Sequence, residues 1–114
     1  MPRRFSRRSS STLALLAAAL GLTLSAAEPA VKPTTHTVVM EAVKFQPAVL
    51  EVRAGDTVVW VNKYPFPHTV TSPSSFDSKI IFADKSWRYV AKRRGDFPYA
   101  CTLHPTMKGE LRVK

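Results

Sequence analysis

Beyond Ala27 no stretch of the chain carries a 3.6-residue apolar repeat over a useful length. What recurs is alternation. His36 to Met40, Ala48 to Arg53 (AVLEVR), Thr57 to Asn62 (TVVWVN), Ser86 to Ala91 (SWRYVA) and Glu110 to Lys114 (ELRVK) each switch between apolar or β-branched and polar residues. A period of two places successive side chains on opposite faces of a strand. Short alternating segments spaced roughly ten residues apart predict an all-β sandwich or barrel of about 7–8 strands. Ala54-Gly55-Asp56 and Arg93-Arg94-Gly95-Asp96 supply turns, since Gly accepts positive φ and Asp bonds back to the backbone. Thr57–Asn62 has the highest apolar density and is expected at the centre of a sheet, whereas Glu110–Lys114 reads as an edge strand. Phe45-Gln46-Pro47 is expected to interrupt strand structure, His68–Thr71 to form a short strand, and Ser72–Lys79 to be a polar loop.

The first 27 residues read as a separate segment. Met1–Ser11 holds Arg3, Arg4, Arg7 and Arg8 with no acid, Leu13–Leu24 is an apolar run, and Ser25-Ala26-Ala27 offers small residues for cleavage. That is the layout of a secretory signal. The run is shorter than the roughly 20 residues a bilayer-spanning helix needs, so no stable membrane anchor is expected. The domain is then expected to occupy 28–114 in the periplasm, reached by the general secretory route or, given Ser6-Arg7-Arg8, by twin-arginine export. The four arginines of the leader account for four units of the formal net charge of +9, leaving +5 on the domain. A moderately basic surface favours acidic protein partners; nucleic acid, which an exported protein rarely meets, is not an expected one.

Cysteine usage narrows the chemistry. One cysteine in an exported chain cannot close an internal disulfide, which leaves a partner-linked thiol, a free thiol or a metal ligand. Cys101 stands in Cys101-Thr102-Leu103-His104-Pro105-Thr106-Met107, which gathers the single cysteine, one of three histidines and one of three methionines. Thiolate, imidazole and thioether are the donors that select copper, and His68, after the stiff Tyr64-Pro65-Phe66-Pro67 loop, would complete a trigonal His2Cys site with a weak axial Met. Zinc also accepts His2Cys, but a thioether is a poor zinc ligand. Taken singly, each residue has a plainer reading: Cys101 as a buried small hydrophobe, Met107 as core packing, His68 as an ordinary histidine. His36 has no such partners and is expected to be exposed or structural, while Met40, Trp60 and Trp87 at strand positions are expected in the core or on the sheet. No nucleophile with an adjacent base is evident, so the chain is not expected to be an enzyme.

The motifs Phe45-x-Pro47, Gly55-Asp56-Thr57-Val58-x-Trp60-x-Asn62, Pro67-His68-Thr69-Val70, Gly95-x-Phe97-x-Tyr99-x-Cys101 and Cys101-x-x-His104-x-x-Met107-x-Gly109 resemble those of the cupredoxins, type 1 blue copper proteins, on the amicyanin and plastocyanin branch. The resemblance runs from Val38 to Val113, and the two residues between His104 and Met107 bring it nearer to amicyanin. It implies a Greek-key β-sandwich holding one copper, with His68, Cys101 and His104 as ligands and Met107 as the long axial one. It implies that Asn62 is not a ligand but ties the His68 segment to the Cys101 loop. It also implies that some of Tyr64, Phe66, Pro67 and Pro105 form an apolar docking surface around His104. The expected function is a monomeric shuttle of single electrons between larger redox proteins, with a dehydrogenase and a c-type cytochrome as partners by analogy. A copper-handling module for delivery or sequestration would use the same ligands and is the alternative.

Overall fold

The computed structural model describes residues 31–114, with 2–4, 18, 19 and 21 besides. The expected export signal and its junction at Glu28 lie outside the described stretch. Among the described residues no helix is long and apolar enough to cross a membrane. The described residues form nine strands in order: β1 (Thr35–Glu41), β2 (Lys44–Gln46), β3 (Val49–Val52), β4 (Thr57–Asn62), β5 (Thr71–Ser72), β6 (Phe76–Asp77), β7 (Ser86–Val90), β8 (Gly95–Ala100) and β9 (Lys108–Val113). They build one sheet in the order β2-β1-β4-β7 and a second in the order β3-β9-β8-β5-β6. The chain passes from one sheet to the other between β2 and β3, β3 and β4, β4 and β5, β6 and β7, and β7 and β8. Parallel pairs β1·β4 and β3·β9 result, with Thr35 opposite Thr57 and Val49 opposite Glu110.

Alternation decides what faces inward. On β4, Val58, Trp60 and Asn62 are buried while their neighbours are half-exposed, and on β1 Val38 and Met40 point the same way. On β8 the buried positions are Phe97 and Tyr99, so the same parity carries the next inward position, Cys101, beneath the sandwich just past the strand. Trp60 is the hub of the core, with its ring 5.5 Å from Trp87, 5.5 Å from Tyr99 and 6.0 Å from Phe76, separations at which aromatic pairs attract beyond area burial alone.

The expected centre of a sheet at Thr57–Asn62 is found, since β4 lies between β1 and β7. The expected edge strand at the C-terminus is not. β9 is interior, pairing in parallel with β3 and antiparallel with β8, and it buries Leu111 and Val113 while Arg112 faces out. Its alternation is that of a half-buried strand anywhere in a sheet, so local sequence did not distinguish edge from interior. Phe45 does not lie in an interruption: it is the buried residue of β2. The polar loop after Ser72 contains β6, whose Phe76 closes the core. His68–Thr71 is strand only from Thr71, and His68 itself makes a single antiparallel bridge with Ile81. These short pieces raise the strand number to nine.

The end of the sandwich away from Cys101 is fastened by Asp56. Its carboxylate accepts the backbone N–H of Thr34 at 2.9 Å and of Arg53 at 3.0 Å, and meets His36 Nε2 at 2.9 Å. Those bonds, the Thr34 backbone first, then His36 and Arg53, hold its pKa well below the ordinary carboxylate range. His36 is therefore structural. The adjoining turn uses Gly55 at φ 99°, a conformation that L side chains rarely adopt.

Candidate metal centre

The Cys101–Met107 loop is folded on itself by three backbone bonds. His104 N–H donates to Cys101 O at 3.3 Å, Met107 N–H to His104 O at 2.8 Å, and Cys101 N–H to Met107 O at 3.0 Å. The last of these returns Met107 to the cysteine it left, and Met107 is buried, at 1% exposure. His68 arrives from the segment before β5, held by reciprocal backbone bonds with Ile81, N to O at 3.2 Å and O to N at 2.8 Å.

His68, Cys101 and His104 thereby converge. Their donor atoms all lie within 4.8 Å of one another. Cys101 Sγ is 3.6 Å from His68 Nδ1 and 3.8 Å from His104 Nδ1. The orientation of His68 is set from its far side: Nε2 lies 3.2 Å from Ala42 O, so the proton sits on Nε2 and the Nδ1 lone pair is left facing the sulfur. Ala42 presents that carbonyl from the β1–β2 turn at φ 51°, an uncommon conformation for a residue with a Cβ. Burial is the first cause that lowers the His68 pKa, and His104 nearby adds to it against the opposing bond to Ala42. The imidazole is thus kept neutral, the form that binds a metal. His68 and Cys101 are fully buried, whereas His104 is half-exposed.

Asn62 ends β4 on its inward face. Its side-chain NH2 donates to Phe66 O at 2.9 Å and Ile81 O at 3.0 Å, and its Oδ1 accepts the N–H of Tyr64 at 3.0 Å. It therefore clamps the Tyr64–Phe66 loop to the Ile81 segment, which pairs with His68. The tie to the Cys101 loop, expected of Asn62, is made by Thr69 instead. Thr69 N–H points at Cys101 Sγ at 3.3 Å, and its hydroxyl accepts Thr102 N–H at 2.8 Å and lies 3.0 Å from Thr102 Oγ1. Thr69 stood beside His68 in the sequence, but nothing local marked a threonine there as a bridge to residues 33 positions later.

Around this cluster Phe66 is 60% exposed and Leu103 48%, Pro105 is exposed, and Tyr64 and Pro67 are half-exposed. An apolar rim so placed beside the half-exposed His104 is the kind of surface that marks contact with another macromolecule.

Two imidazole nitrogens and a cysteine sulfur facing one point, on buried and hydrogen-bonded supports, fit a copper ion. Soft and borderline donors suit it, and the N–H of Thr69 is aimed at the sulfur that would carry charge. Sandwich and centre together define a cupredoxin, and the chain belongs to the cupredoxin-like domain family, whose model matches residues 12–113. Its metal is one type 1 copper per chain.

Amicyanin-alpha of Methylorubrum extorquens is 30% identical over 111 residues, covering 92% of this chain and 89% of that protein. Amicyanin of Paracoccus versutus is 28% identical over 81 residues, 66% of this chain, and the match spans only 61% of that relative. A solved Cu(I) form of an amicyanin variant superposes with a TM-score of 0.68 at 26% identity, covering 74% of this chain and 86% of the other.

Proposed function

We propose that this chain is an exported, monomeric electron carrier that exchanges single electrons with larger redox proteins in the periplasm. The domain would be 28–114, following a cleaved signal at 1–27. His68 and His104 would hold the metal through Nδ1, Cys101 through Sγ, and Met107 through its thioether. When bound, copper supplies the one-electron couple. The observation that carries this reading is the convergence of three donor atoms within 4.8 Å at one end of a rigid sandwich.

Support comes from what the protein's own residues do. His68, Cys101 and Met107 come from segments fixed by backbone bonds, so the site changes little between oxidation states. Only His104 of the four reaches solvent. His68, Cys101 and Met107 are buried, whereas an electron can cross the exposed imidazole edge to a partner seated on Phe66, Leu103 and Pro105. Such an arrangement serves transfer rather than catalysis. The proteins that share the fold and are named amicyanin lend the same reading by likeness. A dehydrogenase as donor and a c-type cytochrome as acceptor are the partner classes we propose.

The test is a Cu(II) titration of the purified protein beside its Cys101→Ser variant, followed by voltammetry. An intense thiolate-to-copper band that saturates at one equivalent, is absent from the variant and bleaches reversibly with reductant supports the carrier. Copper that passes readily to a weak chelator, with no reversible couple, would favour metal delivery or sequestration instead.

A further inference from the structure

Every polar atom of His68 is accounted for by Ala42 and the metal site, yet one face of its ring is not. Tyr64 covers it. The two rings are stacked, with centroids 5.5 Å apart and planes 22° from parallel, within the range of offset stacking. On another side of His68 stands His104, edge-on, with centroids 5.0 Å apart and planes at 64°. Tyr64 is itself placed by several restraints. Asn62 Oδ1 holds its N–H at 3.0 Å, Pro65 restricts the backbone of the residue before it, and the Phe66 ring packs against it at 5.6 Å. A half-exposed side chain on a loop would ordinarily sample several rotamers. This one is fixed over a buried imidazole.

We propose that Tyr64 is a positioning residue of the metal centre, whose ring face orients His68 and biases the copper couple toward its oxidised state. The inference rests on the reading of His68 as a copper ligand. The face of an aromatic ring is electron-rich and attracts positive charge. An imidazole bound to a metal shares the metal's charge, and shares more of it in the more positive oxidation state. A phenol face stacked on that imidazole therefore favours Cu(II) over Cu(I). Removing the ring raises the reduction potential, provided that the replacement still keeps water from His68. Leucine keeps an apolar cover without a ring. Phenylalanine keeps the ring without the hydroxyl.

The experiment compares the full-length protein with its Tyr64→Leu and Tyr64→Phe variants in two states. In the metal-free state, NMR of the His68 imidazole protons reads the stack directly. These resonances are expected to lie upfield in the parent and in Tyr64→Phe through the ring current, and to move downfield in Tyr64→Leu. In the copper-loaded state the midpoint potential is measured. Tyr64→Leu is expected to shift the redox equilibrium constant roughly three- to ten-fold toward Cu(I), a rise of about 30 to 60 mV for one electron, with Tyr64→Phe close to the parent. Unchanged His68 resonances in Tyr64→Leu would overturn the positioning role even if no copper binds. An unchanged potential, or a shift as large in Tyr64→Phe as in Tyr64→Leu, would overturn the tuning role. A parent protein that shows the ring-current shift but forms no thiolate–copper band would instead refute the copper-ligand reading on which the tuning depends.

Discussion

Asn62 is the buried polar group on which most of the site's scaffold depends, and its replacement by leucine has a calculable cost. Three hydrogen bonds are lost, to Phe66 O, Ile81 O and Tyr64 N, each contributing about 1 kcal/mol net when paired. The partners do not fare equally. Ile81 O keeps the N–H of His68 at 3.2 Å, and the Phe66 carbonyl and Tyr64 N–H lie in a loop that water reaches. The full penalty of an unsatisfied buried group, about 1–3 kcal/mol, is thus avoided at all three, and the net loss is about 3 kcal/mol. For a slope of about 1.5 kcal/mol per molar in urea, the unfolding midpoint of the metal-free protein falls by roughly 2 M. Asn62→Asp is expected to fall further, because an ionised carboxylate would face two carbonyl oxygens and must also be buried. Equilibrium urea unfolding followed by tryptophan fluorescence measures both. A Leu variant within about 0.5 kcal/mol of the parent, the usual effect of an inconsequential surface change, would refute the clamp. So would an Asp variant more stable than the Leu one, since it would mean that donors are not what the site requires.

Thr69→Val removes the hydroxyl that receives Thr102 N–H and is expected to cost about 1 kcal/mol in the metal-free protein, with Thr69→Ser regaining most of it; equal loss in both would assign the effect to packing. A Cβ on Gly109 would collide with the Tyr99 ring at Cζ, and Tyr99 is buried at 3% exposure, so Gly109→Ala is expected to lower stability by about 1–3 kcal/mol through overpacking, read from the thermal midpoint. Asp56 has a folded pKa depressed below its ordinary 3.8. Its contribution is complete above that value and is lost as pH falls below it, because the unfolded state then takes up the proton first. Stability of the parent should decline below about pH 4 more steeply than that of Asp56→Asn, and parallel acid limbs in unfolding titrations would contradict this. If copper binds the folded centre and not the unfolded chain, free copper at a hundred times its Kd adds about 2.7 kcal/mol over the metal-free protein, and a chelator should reverse the gain in calorimetry.

Much of the architecture was written in local periodicity. Val58, Trp60 and Asn62 share a face because a strand repeats every two residues, and Phe97, Tyr99 and Cys101 share another for the same reason. The compact spacing of Cys101, His104 and Met107 also belongs to the sequence, since backbone bonds between near neighbours close that loop. By contrast, the position of β9 between β3 and β8 was not legible from Glu110–Lys114. Its partners are chosen by the rest of the sheet. His68 was recognisable as a candidate donor, but only the bridge to Ile81 and the Ala42 carbonyl fix which nitrogen it presents. The fastening of the two halves of the centre by Thr69, and the stacking of Tyr64 on His68, likewise appear only in three dimensions. Periodicity determines which face of an element a residue occupies. Which distant element meets that face, and with which atom, is decided by packing among segments that the sequence does not place side by side.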